Sequence, residues 1–311
     1  MKGLVIKNTG SWYVVRQDDG SEVNCKIKGN LRLRGFRCTN PVAVGDVVRF
    51  EPRGAGTALI TDIEPRRNYI IRRASNLGKE FQIIGSNLDL AVLVATIVNP
   101  MTHTTFIDRF LATAEAYNVP AAIVFNKADL LTSDLARTVQ EEMASVYRSI
   151  GYTVLCTSTV TGAGIDALRG LLAGNTTLLS GNSGVGKSSL INCLVPDAEL
   201  RVGHVSQAHH KGMHTTTFSE LLDLPGGGAI IDTPGVKGFG TIDFNRNQVA
   251  HYFREFFELS PQCRYGDCTH THEPGCAVRE AIDNGTIALS RYESYLSILD
   301  EDPGNKYRLP Q

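Results

Sequence analysis

The chain has 311 residues, of which 42% are hydrophobic and 20% charged, as in an ordinary globular protein. Its length predicts two or three domains. Its start lacks the basic and apolar run of a secretory signal. The most apolar stretch, residues 88–98, is far shorter than the about 20 residues of a membrane span. These features argue against secretion and membrane insertion, and we expect a cytoplasmic protein without a membrane partner.

The net charge of −1 hides an asymmetry along the chain. Residues 1–67 hold 12 Lys and Arg against 7 Asp and Glu, a balance of +5, whereas residues 241–311 hold 7 against 11, a balance of −4. Basic charge at one end suits a polyanionic partner such as RNA. A merely solvated basic surface is the alternative.

Residues 1–67 contain short β-rich segments separated by turn residues. Such spacing predicts a small closed all-β barrel, with the oligonucleotide-binding (OB) type as one candidate and an SH3-like barrel without a ligand as the alternative. The predicted strands are 4–6, 12–15, 23–27, 47–50 and 58–63.

From about residue 68, apolar strands alternate with stretches of helical period. This alternation predicts an α/β domain with a mostly parallel sheet, whose ligands bind at the carboxyl ends of the strands. After about residue 240 the chain is predicted to be helical and polar. We therefore expect three domains: 1–67, 68–240 and 241–311. The predicted α/β strands are 90–97, 121–125, 153–156, 177–179 and 229–231.

Residues 181–188 fit the phosphate-loop pattern G-x-x-x-x-G-K-S and lie between a predicted strand and a helix-prone run. In that context a chance Gly-rich turn is a rare alternative. Lys187 is predicted to reach the β- and γ-phosphates, and Ser188 to ligate Mg²⁺. The other predicted nucleotide-binding residues of the loop are Gly181, Asn182, Ser183, Gly184, Val185 and Gly186.

Guanine specificity is predicted by the N-K-x-D sequence of Asn126, Lys127, Ala128 and Asp129, which follows the predicted strand 121–125. A carboxylate accepts two N–H groups from the edge of guanine, and adenine offers no such pair. Thirty residues on, Thr157-Ser158-Thr159 resembles the S-A loop that supports the base, although Thr159 replaces the usual Ala. We assign Ser158 and Thr159 to the GTP site.

The remaining nucleotide elements follow the phosphate loop. Asp232 and Gly235 belong to a D-x-P-G sequence, in which the carboxylate holds Mg²⁺ through water and the glycine amide senses the γ-phosphate. Thr216, slightly favoured over its two threonine neighbours, is predicted to complete the Mg²⁺ shell. Val236 stands where Ras-like enzymes carry a water-orienting glutamine. We assign that catalytic task to His214, with an ordinary loop histidine as the alternative.

The order of these elements is unusual. Ordinary GTPases run from the phosphate loop to D-x-P-G and then to N-K-x-D, whereas this chain places N-K-A-D and T-S-T first. Because all the elements end strands, the same site can form after the chain is cut and rejoined elsewhere. The sequence therefore predicts a circularly permuted GTPase.

A metal site is predicted in the C-terminal segment, in which Cys263, Cys268, His270 and Cys276 form C-x4-C-x-H-x5-C. Three thiolates and one imidazole are a closed tetrahedral set for structural zinc, one ion per chain. His272 is a competing ligand, and a chance cluster is the alternative.

The permuted order, the loop G-N-S-G-V-G-K-S-S that extends to Ser189, the H-T-T-T run and the Cys/His segment together resemble one family over essentially the whole chain. It is the bacterial ribosome small-subunit-dependent GTPase A family (RsgA, also called YjeQ or YloQ). The resemblance implies an N-terminal OB barrel, a permuted GTPase domain and a C-terminal zinc domain.

The resemblance also implies a function: hydrolysis of GTP to GDP, stimulated by the small ribosomal subunit through its rRNA, in late maturation of that subunit. We expect a monomer that uses Mg²⁺ with GTP. Two other readings stay open. One is a GTP-dependent RNA-binding switch with little catalysis, and the other is a metal-trafficking GTPase whose cysteines pass zinc onward.

Overall fold

The computed structural model describes residues 1–28, 38–54, 56–73, 81–198, 200, 219–233 and 246–300. These residues form two compact units. The first contains the described residues of 1–102 and 117–238, and the second contains residues 103–116 with the described residues of 239–311. Among the described helices, none combines the length and the apolar character that crossing a membrane requires.

The N-terminal part of the first unit is a closed five-stranded barrel. Strand β1 pairs with β2 on one side and β5 on the other, and the circle closes through the β2–β3, β3–β6 and β5–β6 pairs. Its core includes Val5, Tyr13, Phe50 and Ile60. The prediction of a small OB-type barrel is confirmed. Its strands are β1 (Lys2–Asn8), β2 (Tyr13–Arg16), β3 (Glu22–Ile27), β5 (Val47–Gly54) and β6 (Thr57–Ile63).

A second, three-stranded sheet follows the order β4-β8-β7, and the sequence analysis did not predict it. Beside it, the buried carboxylate of Asp46 accepts hydrogen bonds from the Arg66 guanidinium at 2.7 Å and from the Ser86 hydroxyl at 2.6 Å. These contacts tie a barrel turn to the segments that lead into the α/β part. The strands are β4 (Cys38–Asn40), β7 (Tyr69–Arg73) and β8 (Phe81–Ser86).

The α/β part is built on strands in the order β11-β10-β9-β12-β14-β13. All neighbouring pairs are parallel except β13–β14, so five strands end at the same edge of the sheet. Strand β13 also pairs with β1 of the barrel, which makes one continuous sheet. The strands are β9 (Leu90–Ala95), β10 (Ala121–Phe125), β11 (Thr153–Cys156), β12 (Thr176–Ser180), β13 (Ser219–Asp223) and β14 (Ala229–Asp232).

Among the described residues, three helices of the first unit connect these strands, and four helices belong to the second unit. Helix α4 begins at the phosphate-loop lysine, as its position after an apolar strand and a Gly-rich loop predicts. The helices of the first unit are α2 (Asp134–Ser149), α3 (Ile165–Leu172) and α4 (Lys187–Leu194). Those of the second are α1 (Thr104–Ala116), α5 (Arg254–Leu259), α6 (Ala277–Asp283) and α7 (Leu289–Leu299).

Helix α1 packs against the C-terminal helices of the second unit. Every residue of 107–114 in this helix is buried, so the helix is covered on more than one face. Asp108 on this helix accepts a hydrogen bond of 2.7 Å from the buried Arg291 of α7, and Arg291 also donates to Glu255 of α5. A network of three charged residues therefore links α1 to α5 and α7.

Candidate nucleotide and metal sites

Four predicted nucleotide elements follow neighbouring parallel strands. Asn126 follows β10, Thr157 follows β11, the phosphate loop follows β12, and Asp232 ends β14. Because these strands run in the same direction, their carboxyl ends meet at one edge of the sheet. The permuted chain thus brings these elements of the predicted guanine-nucleotide site together.

The phosphate loop needs glycine at two positions for steric reasons. Gly181 has a φ of 150°, and a Cβ atom there would lie 2.3 Å from the carbonyl oxygen of Val94. Gly186 has a φ of 94°, and a Cβ atom there would lie 2.4 Å from Nδ2 of Asn126. At both glycines the loop backbone lies closer to a neighbouring group than a side chain would allow. This geometry would let the main-chain amides of the loop turn toward the phosphates of a bound nucleotide.

Lys187 begins α4 and is buried, with 8% of its surface exposed. Its ammonium donates hydrogen bonds to the carbonyl oxygens of Gly181 at 2.7 Å and Asn182 at 3.0 Å, which curls the side chain over the loop. Burial lowers the pKa of Lys187 to about 8, and the negative charge of Asp232 opposes that shift. The lysine thus presents a positive charge where the loop would hold phosphate oxygens.

The N-K-A-D loop is fastened to the phosphate loop by two side chains. Asn126 donates to the carbonyl oxygen of Val185 at 2.9 Å and accepts from the Thr157 hydroxyl at 3.0 Å. Lys127 donates to the carbonyl oxygens of Gly184 and Asn99, each at 2.6 Å. Three loops that are distant in sequence are therefore held in one arrangement.

Asp129, the predicted guanine-reading residue, is positioned by Ser158. The Ser158 hydroxyl donates to Oδ1 of Asp129 at 2.5 Å, and the same hydroxyl accepts from the amides of Val160 and Thr161 at 3.2 Å. The carboxylate is thereby oriented by the T-S-T loop. Ala128 is linked to that loop as well, through its amide and the Thr157 carbonyl at 3.0 Å.

The described residues contain only part of the predicted Mg²⁺ and catalytic set. Ser188 lies half-buried in the first turn of α4, and Asp232 is buried at the end of β14. Their elements bring the hydroxyl and the carboxylate to the same sheet edge as Lys187. His214, Thr216 and Gly235 lie outside the described residues.

In the second unit, Cys263, Cys268, His270 and Cys276 form one cluster whose four donor atoms all lie within 4.8 Å of one another. Nδ1 of His270 lies 3.3 Å from the Cys276 sulfur and 3.7 Å from the Cys263 sulfur. His272 is exposed and bonds with the Thr271 hydroxyl instead. The structure therefore gathers His270, and not His272, with the three thiols.

The loop that carries His270 is held by groups other than the cluster. The Tyr292 hydroxyl donates to the His270 carbonyl at 2.8 Å, and Tyr295 donates to the Thr269 carbonyl at 2.7 Å. Glu273 accepts from the Thr269 hydroxyl and from three backbone amides of the loop. Although burial opposes ionisation, these hydrogen bonds hold the pKa of Glu273 well below its usual range.

The donor set fits a metal ion by its chemistry. Burial raises the pKa of Cys268 to about 12 and raises the pKa of Cys276, while burial lowers the pKa of His270. Three cysteine sulfurs and an imidazole packed this closely are groups that a divalent ion binds, the sulfurs as thiolates, with release of protons. The four donors could therefore hold a metal ion in tetrahedral geometry.

Sequence reasoning missed the residues that position these sites. Asn99 supplies a carbonyl to Lys127, and the Asn-Pro pair was a turn signal that could have drawn attention to it. Glu273, Tyr292 and Tyr295 carry no motif, since their role comes from contacts made in the folded loop. Ser260, which contacts His270, was also missed.

The fold and the assembled loops define a P-loop GTPase with circularly permuted motifs. Comparison with known proteins gives the family: residues 63–242 match the RsgA GTPase family, and residues 2–60 match the RsgA N-terminal domain. The chain belongs to the RsgA GTPase family. The predictions of the family and of a GTPase are confirmed.

Full-length relatives agree with this assignment. A "Small ribosomal subunit biogenesis GTPase RsgA" of Porphyromonas gingivalis is 58% identical, and one of Bacteroides fragilis is 56% identical, each over 99% of both chains. The crystal structure of YjeQ from Thermotoga maritima matches with a TM-score of 0.74 and 34% identity, over 96% of both chains. The circularly permuted GTPase YloQ matches with a TM-score of 0.71 and 28% identity, over 99% of this chain and 96% of that one.

Proposed function

We propose that this GTPase acts in late maturation of the small ribosomal subunit and that the subunit stimulates its hydrolysis of GTP. The observation that carries the proposal is the likeness over 99% of the chain to relatives named small ribosomal subunit biogenesis GTPases. The partners are then the small subunit and its rRNA, and this would place the protein in the cytoplasm. We propose that it acts as a monomer.

In the proposed nucleotide site, each loop has a separate task. Asp129 accepts hydrogen bonds from the guanine edge, with Lys127, Ser158 and Thr159 supporting the base. The amides of residues 181–189 surround the phosphates at the start of α4, where the helix dipole adds positive potential. Lys187 then gives up its carbonyl partners for phosphate oxygens.

Ser188, Thr216 and Asp232 are the proposed residues for Mg²⁺, an ion that neutralises charge on the phosphate oxygens when bound. Gly235 would sense the γ-phosphate through its amide. His214 is the proposed residue that orients the attacking water, because Val236 cannot do so. Ras-like GTPases without a helper turn over at roughly 10⁻⁴ s⁻¹, so a slow basal rate is expected.

We also propose three domains along the sequence, 1–67, 68–240 and 241–311, with α1 of the middle range packing in the second unit and with different tasks at the two ends. The basic residues of the barrel, including Arg32, Arg34 and Arg37, would bind RNA phosphates. These three arginines lie outside the described residues. The Cys/His cluster would bind one structural zinc ion per chain. Because the D-x-P-G element leads directly into the last domain, nucleotide state would reposition that domain.

The partner is tested by sedimentation of the protein with purified small or large ribosomal subunits, in the presence of a non-hydrolysable GTP analogue or GDP. We expect cosedimentation with small subunits that is stronger with the analogue, and weaker binding as salt rises. Equal binding to both subunits, or binding that ignores the nucleotide, would count against the proposal.

The catalytic assignment is tested separately with His214→Ala, and His210→Ala serves as the control from the same segment. We expect His214→Ala to abolish small-subunit-stimulated turnover while GTP affinity is retained, because the water is no longer oriented. Retention of stimulated turnover would remove His214 from the mechanism but would leave the partner untouched.

A further inference from the structure

His270 presents its two ring nitrogens to different surroundings. Nδ1 lies 3.3 Å from the Cys276 sulfur, and Nε2 lies 3.1 Å from the hydroxyl oxygen of Ser260. Turning the ring by half a revolution about its Cβ–Cγ bond would put carbon atoms at both contacts. His270 is 1% exposed, so these contacts are not shared with bulk water. The orientation is therefore the one that satisfies both nitrogens.

The proton on the ring follows from the hydrogen bonds of Ser260. Its hydroxyl carries one hydrogen and donates it to the carbonyl oxygen of Phe256, one helical turn earlier, at 2.7 Å. The same oxygen can then only accept from His270, so Nε2 must carry the hydrogen. In a neutral imidazole the other nitrogen then has a free lone pair, and that nitrogen is Nδ1, which faces the thiols.

We propose that Ser260 fixes the Nε2–H tautomer of His270 and thereby presets Nδ1 as a metal ligand. This inference rests on the proposed zinc site and adds to it a positioning residue that is itself not a ligand. Metal-bound histidines commonly donate their second N–H to a neighbouring oxygen, which fixes the tautomer and the ring orientation. Here a helix-end hydroxyl takes the place of the more usual carboxylate or carbonyl.

The effect of Ser260 on the metal site can be distinguished from an effect on the fold of the loop, because other groups hold the loop backbone. Tyr292 and Tyr295 bind the carbonyls of His270 and Thr269, and Glu273 binds the following amides. Removing the Ser260 hydroxyl leaves all of these contacts in place. The expected effect is therefore on metal affinity and on the tautomer, with the loop still formed.

The test measures zinc affinity by competition with a chromophoric chelator for the full-length wild type, Ser260→Ala and Ser260→Thr. Ser149→Ala is the matched control, because Ser149 also donates to a helix carbonyl, that of Val146, at 2.8 Å but lies on an exposed part of α2. We expect Ser260→Ala to bind zinc about 10–100-fold more weakly. Ser260→Thr, which keeps the hydroxyl, and Ser149→Ala should bind as the wild type does.

Nitrogen NMR of ¹⁵N-histidine-labelled wild type gives an independent reading. His270 should show the Nε2–H tautomer both without metal and with zinc, and Ser260→Ala should show a mixture of tautomers in the metal-free protein. A wild-type Nδ1–H tautomer, or zinc affinity unchanged in Ser260→Ala, would overturn the inference while the zinc site stood. Failure of the wild type to bind zinc would overturn both.

Discussion

The nucleotide site and the Cys/His cluster are organised in different ways. In the nucleotide site the charged groups bind protein partners: Lys187 and Lys127 donate to backbone carbonyls, and Asp129 accepts from Ser158. In the cluster the four donor atoms face one another within 4.8 Å. The first site is held by its own loops, whereas the second brings together groups that a metal ion would satisfy. We therefore expect folding to depend little on nucleotide and strongly on metal.

The largest expected effect is that of metal removal on the second unit. Structural zinc sites contribute about 10–16 kcal/mol of apparent binding free energy, so chelation should make the loop open far more often, although its tyrosine and glutamate contacts still form, and should loosen α6 and α7. Hydrogen exchange, read by mass spectrometry, should rise steeply across residues 260–299. The fluorescence of Trp12 in the barrel, the one tryptophan of the chain, should stay unchanged.

Cys276→Ser should reproduce the effect of chelation, whereas Cys193→Ser, which changes a cysteine outside the cluster, should leave exchange in the second unit as it is. Unaltered protection of residues 260–299 after complete metal removal would show that the cluster does not depend on a metal ion.

The next effect concerns the buried ion pair of the second unit. Arg291→Ala should lower the free energy of unfolding by about 3–5 kcal/mol. The substitution removes the buried positive charge that pairs with the carboxylates of Asp108 and Glu255. The measurement is urea denaturation followed by circular dichroism. Arg279→Ala, which changes an exposed arginine of the same unit, should have little effect. Equal stability of the two variants would refute the structural role of Arg291.

In the nucleotide site, Asp129→Asn should weaken GTP binding by at least about 100-fold, since two hydrogen bonds to a charged acceptor are worth roughly 1.5–3 kcal/mol each. The asparagine keeps the size of the side chain and can still accept from Ser158. Isothermal titration calorimetry provides the measurement, and Asp134→Asn, at an exposed position five residues on, is the control. Undiminished GTP affinity in Asp129→Asn would remove this residue from guanine recognition.

The smallest expected effect is a dependence of GTP affinity on pH. Burial lowers the pKa of Lys187 to about 8 in the free protein, and phosphate should raise it again by favouring the charged form. Below about pH 8 the lysine is already charged, so affinity is highest there; above it, binding must take up a proton and affinity falls. Calorimetry in two buffers of different ionisation enthalpy should detect that uptake. Affinity constant through this range would contradict the lowered pKa.

The sequence predicted elements that a local pattern determines. The strand Ala121–Phe125 has the predicted bounds because it is a continuous apolar run that ends in N-K-A-D. Strand β7 (Tyr69–Arg73), by contrast, was not predicted, because its strand structure depends on pairing with β8 and not on a local pattern. The barrel and the α/β sheet were predictable because their periodicity is repeated over many residues.

The positioning contacts of the sites could not be predicted in this way. Asp108 and Arg291 are 183 residues apart, so the burial of a charged residue on α1 has no local signal. The bond between Ser260 and His270 spans ten residues but depends on the fold of the loop between them. Motifs identify the residues that bind ligands by their chemistry, whereas the residues that orient them depend on tertiary contacts.

The most direct test of the proposed function is the steady-state rate of GTP hydrolysis by the purified protein, measured alone and with isolated small or large ribosomal subunits. The account predicts slow turnover by the protein alone, strong stimulation by small subunits and none by large subunits. The stimulation should be lost in Lys187→Ala, which removes the phosphate-binding charge. Turnover that neither subunit changes would contradict the proposal and leave a GTPase with a different partner.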